Sequence, residues 1–267
     1  MIRKLLFLTA AGVLVALLAI PVATLLGRAL FGEALGAIIA STAVQDALRL
    51  SLLTTAVSLG ITIALGTPLA YLLARRRNRM TWIIEVIVDL PLVLPPSVAG
   101  LGLLLVFGRR GLIGDSLDAA GLAIPFTVIA VVIAQVFVAA PFYVRAARAA
   151  IASVSRDLED AARVDGASEL RVFVEVTLAL ARPGIAGGMA MSWARSLGEF
   201  GATILFAGNV VGRTQTLPLV VYSEFQAGDV DAAIAAAAVL VLAALSVLVA
   251  VRLARGSRPP DVASAGL

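Results

Sequence analysis

A chain of 267 residues that is 61% hydrophobic and 14% charged, with a mean hydropathy of +1.03, has too little polar surface for a soluble globule of that size, since soluble domains carry about 25% charged residues. It reads as an integral membrane protein. With no Cys and no His, thiol chemistry, disulfides, haem ligation by His and the usual zinc sites drop out. Lys4 is the sole lysine, so a phosphate-binding loop with its lysine has no place in the chain, and any ATP it uses is hydrolysed elsewhere.

A bilayer core about 30 Å thick needs roughly 20 apolar residues as helix. Six such runs occur, at Leu5–Leu26, Leu50–Leu73, Ile83–Phe107, Leu122–Val144, Gly184–Phe206 and Ala232–Val251. The first follows Arg3 and Lys4 but exceeds the apolar stretch of a signal peptide, about 7 to 15 residues, so it is taken as an uncleaved span. Fifteen basic residues fall on one side: Arg3, Lys4, Arg75, Arg76, Arg77, Arg79, Arg145, Arg148, Arg156, Arg163, Arg171, Arg182, Arg252, Arg255 and Arg258. The other side has five, Arg28, Arg49, Arg109, Arg110 and Arg213, and Arg195 lies inside the fifth span. Short cytoplasmic loops accumulate Lys and Arg, which puts both termini inside. The net charge of +4 thus reports topology, and a nucleic-acid partner is not expected. No convincing internal repeat supports the inverted-repeat plan of many secondary transporters.

In the third span Pro91, Pro95 and Pro96 each remove a backbone donor, so the helix must kink and expose carbonyls that need protein or water partners. A pore lining with Ser97 beside it and a plain packing kink fit equally. Glu85 and Asp89 read as interfacial charges, and Gln135 in the fourth span as a hydrogen bond between helices.

The connection from about 145 to 182 is too long for a hairpin. Ser155 can cap a helix with an acidic first turn, Leu158, Ala161 and Ala162 recur at helical spacing, and Gly166 interrupts it. A second amphipathic helix would return the chain to the bilayer at Pro183. An interfacial element without a partner is the alternative.

Arg195 and Glu199 in the fifth span stand one turn apart, where an unpaired charge costs about 2.5 to 3.5 kcal/mol on insertion scales, so they should pair on a face turned from lipid. A structural ion pair is favoured over a substrate contact, because a carboxylate repels a dianion. Gly198, Gly201 and Ala202 permit close helix approach. The third-span break at Pro95, Pro96 and Ser97 and the segment of Glu199, Phe200 and Thr203 are together expected to line a path at the axis between two copies.

The stretch Asp160-Ala161-Ala162-Arg163-Val164-Asp165-Gly166-Ala167-Ser168, followed by Val176-Thr177-Leu178 and Arg182-Pro183-Gly184, resembles the EAA motif of ABC-transporter permeases. Asp160 stands at the Glu position with Glu159 before it, Val176 replaces Ile and Ala179 replaces Pro. A second segment, Trp193-Ala194-Arg195-Ser196-Leu197-Gly198-Glu199-Phe200-Gly201-Ala202-Thr203, with Ala207-Gly208-Asn209 and Gly212 to Leu219, resembles permeases of the molybdate, sulfate and tungstate group, molybdate above all. The likeness extends to Leu90 through Pro96 and Phe107 through Gly114.

The resemblance implies an all-α membrane protein with six transmembrane helices, the type I ABC importer architecture, in one domain over 1–267 with a coupling segment at about 145–182. Glu159, Asp160, Ala161, Ala162, Arg163, Gly166 and Ala167 would then meet the ATPase. The implied assembly is a permease homodimer in a prokaryotic inner membrane, with two cytoplasmic ATPase subunits and an extracytoplasmic oxyanion-binding protein. This chain would hold no cofactor and catalyse nothing; ATP and Mg would sit on the ATPase. The substrate implied is molybdate, with sulfate or tungstate as alternatives within the class. Rivals from other classes are a secondary anion transporter or channel without an ATPase and, less well supported, a membrane enzyme.

Overall fold

The computed structural model describes residues 2–32, 34–76 and 78–254, and the regular elements among them are helices. In order they are α1 (Ile2–Phe31), α2 (Ala34–Ala40), α3 (Thr42–Arg75), α4 (Arg79–Val93), α5 (Pro96–Phe107), α6 (Gly114–Ala119), α7 (Val128–Ala152), α8 (Arg156–Val164), α9 (Glu169–Arg171), a π-helical segment (Val172–Leu178), α10 (Ala179–Leu197), α11 (Gly201–Phe206), α12 (Leu217–Gln226) and α13 (Val230–Ala254). Of the basic residues used for topology, Arg77, Arg255 and Arg258 lie outside the described residues.

Five helices are long and apolar enough to cross a membrane, and a sixth span exists only if α4 and α5 count as one element bent by 116°. The expectation of one kinked helix over Ile83–Phe107 is therefore corrected. Leu94, as a residue before proline, is extended at ψ 131°, and Pro96 opens α5 where its missing N–H costs nothing. With about 1.5 Å of rise per residue, neither α4 nor α5 alone reaches across 30 Å of hydrocarbon.

The expected fifth span shifts as well. Its helix runs from Glu169 to Leu197 and ends before Gly198, so Gly184–Phe206 is not one span. Pro183 does not begin a helix; it lies inside α10. An interior proline costs about 3 kcal/mol, but here the helix beyond it is held by α7, which α10 crosses at Gly184 and Gly188. A Cβ on either would lie within 2.8 Å of Ala150 or Ala146.

The packing is inverted relative to a soluble bundle. Along α3 the buried face carries Ser51, Thr54, Thr55, Ser58 and Thr62 with Ala47, Gly66 and Ala70, while Leu53, Val57 and Leu65 point outward. Lipid is as apolar as leucine, so large aliphatic side chains gain little between helices, and small or hydroxyl-bearing residues take the contacts. Several hydroxyls are satisfied within α3 itself: Thr54 donates to the Leu50 carbonyl (2.8 Å) and Thr67 to Ile63 (2.7 Å). Across on α7, the Tyr143 ring fills the notch at Gly66, and its hydroxyl meets Thr67 at 2.6 Å. Glu85 and Asp89, expected as interfacial charges, pair antiparallel with α7 through Arg148 (3.0 Å) and Arg145 (3.9 Å).

Candidate functional site

The two interrupted segments meet. α5 starts at the first break, α11 starts at the second, and the two helices pack along each other. A Cβ on Gly201 would lie 2.8 Å from Pro96 Cβ and 3.2 Å from the Ser97 nitrogen; one on Gly100 would lie 2.6 Å from the Ala202 carbonyl oxygen. Backbone thus rests on backbone, which only glycine allows. Ala99, Leu103, Ala202 and Phe206 join Ala130, Val131, Ala134 and Val138 of α7 in one core behind this contact.

Of the residues expected on a path, Pro95, Pro96 and Ser97 are exposed on the protomer surface. Phe200 is half-buried, stacks on Tyr222 at 5.1 Å between ring centroids, and rims an apolar cleft of about 560 Å³ beside α12 and α13. Thr203 departs from the expectation, for it has no exposed surface and its hydroxyl no partner. It lies in the first turn of α11, next to Ala202, whose backbone rests on Gly100 of α5.

Arg195 and Glu199 do pair, Nη1 to Oε2 at 2.6 Å, but not on one continuous helix. Arg195 is in the last turn of α10 and Glu199 lies beyond it, in the break. The carboxylate is 1% exposed and the guanidinium side chain 26%. Its second oxygen, Oε1, accepts from the Ala202 N–H at 2.8 Å, so Glu199 satisfies one of the free donors at the start of α11, where a negative charge suits the helix dipole. Neutralised on one side and capped on the other, it belongs to the framework of the break.

The connection between α7 and α10 forms the expected helix, turn and helix. Ser155 caps α8 by accepting from the Asp157 N–H. At its end Gly166 sits at φ +87°, the Gly166 N–H donates to the Arg163 carbonyl, and the Ala167 N–H donates to Ala162, both at 3.0 Å. This is the glycine-terminated helix end in which the last carbonyls are satisfied by the turn. Arg163 clasps the two arms together: Nε and Nη2 donate to Glu169 at 2.7 and 3.1 Å, and Nη1 to Asp160 at 2.6 Å. These bonds tie the end of α8 to the start of α9.

Outward, Asp160 and Ala161 are exposed, as are Leu158 (51%), Val164 (87%) and Leu170 (73%). Glu159 is not on this surface. Its side chain is 3% exposed and bonded to Arg75 and Thr177, which corrects its expected place among residues that would touch a partner. The helical period decides this, since Glu159 lies 100° around α8 from Asp160.

A buried polar belt was mostly missed. Gln135 donates to Thr54 (3.2 Å) and Thr55 (3.4 Å) across α3 and α7, as its lone amide suggested. Ser51 accepts from the Leu217 N–H at 2.8 Å, and Ser223 accepts from Asn209 at 2.7 Å and Gln215 at 3.3 Å. The run Thr214-Gln215-Thr216, polar in so apolar a chain, was the available signal. Among the described residues no group of three or more acidic side chains could hold a metal ion.

The fold matches a chain in the crystal structure of a bacterial ABC transporter involved in the import of the acidic polysaccharide alginate, with TM-score 0.76 and 17% identity over 95% of this chain and 94% of that one. Long apolar helices, an interrupted pair and a helical knob define the class: a multi-pass, all-helical membrane protein. The chain belongs to the family of binding-protein-dependent transport system inner membrane components, whose model matches residues 66–258. It is 44% identical to the molybdenum transport system permease protein ModB of Mycobacterium bovis, covering 84% of this chain and 83% of that protein. It is 35% identical to the sulfate transport system permease protein CysW of Synechocystis sp., covering 77% and 74%. Its part in such a system is transport rather than catalysis.

Proposed function

We propose that this chain, as a single domain over 1–267, is the permease of an ATP-driven importer for a tetrahedral oxyanion, molybdate in the first place. It works as a homodimer with two ATPase subunits that carry ATP and Mg on the cytoplasmic side, where both termini lie, and with an extracytoplasmic binding protein. The observation that carries this reading is the knob of α8 and α9. Three apolar side chains, Leu158, Val164 and Leu170, stand uncovered on a charged element held rigid by the Arg163 clasp, which is the form of a docking surface. Molybdate is supported by the name of the 44% identical relative; sulfate is the second reading, supported by the 35% identical one. The test is uptake and ATP hydrolysis by the reconstituted complex with molybdate, tungstate and sulfate in turn. Stimulation by sulfate alone removes the molybdate assignment, and uptake without ATP or ATPase removes the importer.

Docking has its own test. Gly166→Pro cannot adopt φ +87°, and Asp160→Arg reverses a charge beside the apolar tip. Both should leave the chain in the membrane and lower uptake about tenfold. Normal uptake with the ATPase bound in both variants removes the coupling role.

Anion passage is assigned to the joined breaks, with Pro95, Pro96, Ser97 and Phe200 toward the axis between copies and Glu199 behind them. Ser97→Cys should react with a small water-soluble thiol reagent, and Thr203→Cys, being buried, should not. If Ser97→Cys is never labelled, with or without ATP and binding protein, the path lies elsewhere.

A further inference from the structure

We propose that Glu159 and Arg75 are positioning residues of the coupling mechanism, bolting α8 to α3 so that α3 is a lever carrying displacement of the knob to the opposite end of the protein. The inference rests on the docking reading of the knob given above. Glu159 Oε1 is the hub. Arg75 Nη2 meets it at 2.5 Å and Thr177 donates to it at 2.6 Å. Arg75 Nη1 also donates to the Val154 carbonyl at 3.2 Å, and Arg156 from α8 donates back to the Arg75 carbonyl at 2.7 Å. Thr177 lies in the π-helical segment, and Phe173 of the same segment packs edge-on against Tyr71 of α3 at 4.9 Å. One carboxylate oxygen therefore ties three elements: the end of α3, α8, and the widened turn before α10. Wide helical turns of this type recur at functional sites.

Without this joint, the Arg163 clasp still stiffens the turn at Asp165–Ser168, but a push on α8 could be absorbed at the short turn Ser153–Ser155. With it, α8 cannot move unless α3 does. α3 continues unbroken for 34 residues, and toward its other end Ser51 accepts from the Leu217 N–H, where α12 begins just after the break-bearing segment. Between Arg75 and Ser51 the helix covers about 36 Å at 1.5 Å per residue. The Arg75–Glu159 pair is shielded, with side-chain exposures of 12% and 3%, so water competes for it only weakly.

The test uses the whole complex in vesicles, with ATPase and binding protein, and reads molybdate, tungstate or sulfate taken up per ATP hydrolysed. Glu159→Ala and Arg75→Ala should keep ATP hydrolysis within about twofold of the parent while uptake per ATP falls about tenfold, and Thr177→Val should lower it about threefold. The exchange Arg75→Glu with Glu159→Arg should recover at least about a third of the loss, as a directly coupled pair does and two independent defects do not. Should Glu159→Ala fail to accumulate, Glu159→Gln and Thr177→Val read the same ratio with little change of volume. An unchanged ratio in those two variants overturns the proposal, and so does hydrolysis that falls in step with uptake. Retention of the ATPase on the purified complex, in the parent and in Asp160→Arg, reports separately on docking.

Discussion

Gly100→Ala is expected to abolish transport and to destabilise the protein by about 3 kcal/mol or more, whereas Gly102→Ala, two positions along the same helix, leaves both unchanged. The added methyl on Gly100 would lie 2.6 Å from the Ala202 carbonyl oxygen and 2.8 Å from its Cα. Both are backbone atoms, at the second residue of a helix whose start is pinned by Glu199, so the neighbour cannot step aside by a rotamer change. α5 would have to lift from α11, opening the core that Phe206 fills. Gly102 faces open space, with nothing within 4 Å of its Cβ position, and helix propensity there favours alanine. Thermal inactivation of the solubilised chain and uptake by the complex measure the two effects. If the two alanine variants behave alike, α5 and α11 do not touch as described.

Arg195→Ala is expected to cost about 3 to 5 kcal/mol, because it leaves the Glu199 carboxylate buried without a counter-charge. Glu199→Ala leaves a guanidinium that can turn toward its exposed quarter, but it also strips the acceptor from the Ala202 N–H, a cap usually worth about 1 kcal/mol. The double variant removes both charges and should be milder than either single one. A double variant as unstable as the two singles combined would show that the residues act independently. Relative uptake of molybdate, tungstate and sulfate should stay as in the parent; a folded Arg195→Ala protein with altered anion preference would move the arginine into the path.

Much of this protein is legible along the chain because lipid imposes one-dimensional rules. A helix that must satisfy its own backbone in about 30 Å of hydrocarbon leaves a run of some 20 apolar residues; α1, α3 and α13 cover the runs that predict them, while α7 overlaps its run but starts at Val128 rather than Leu122 and continues to Ala152. Capping is local too, so Ser155, Gly166 and the knob between them were readable from residues a few positions apart. Boundaries were less so. α3 begins eight residues before its apolar run and α10 grows out of a polar segment, since helices continue through charged residues wherever neighbouring helices support them.

By itself, then, the sequence determined that the chain crosses a membrane repeatedly, that the long connection folds as a helical knob, and that Arg195 and Glu199 pair. Each follows from residues close in the chain and from the cost of bare charge or bare backbone in hydrocarbon. Only the tertiary structure decided which side of these elements matters. Glu159 turns away from the surface because Arg75, 84 residues earlier, waits beneath it. Thr203 is sealed inside the packed protomer, and the proline break becomes a bend of 116° where Gly201 lets the second break lie against it. Those outcomes depend on contacts between residues about 100 positions apart, where close packing, a property of two surfaces together, selects the orientation.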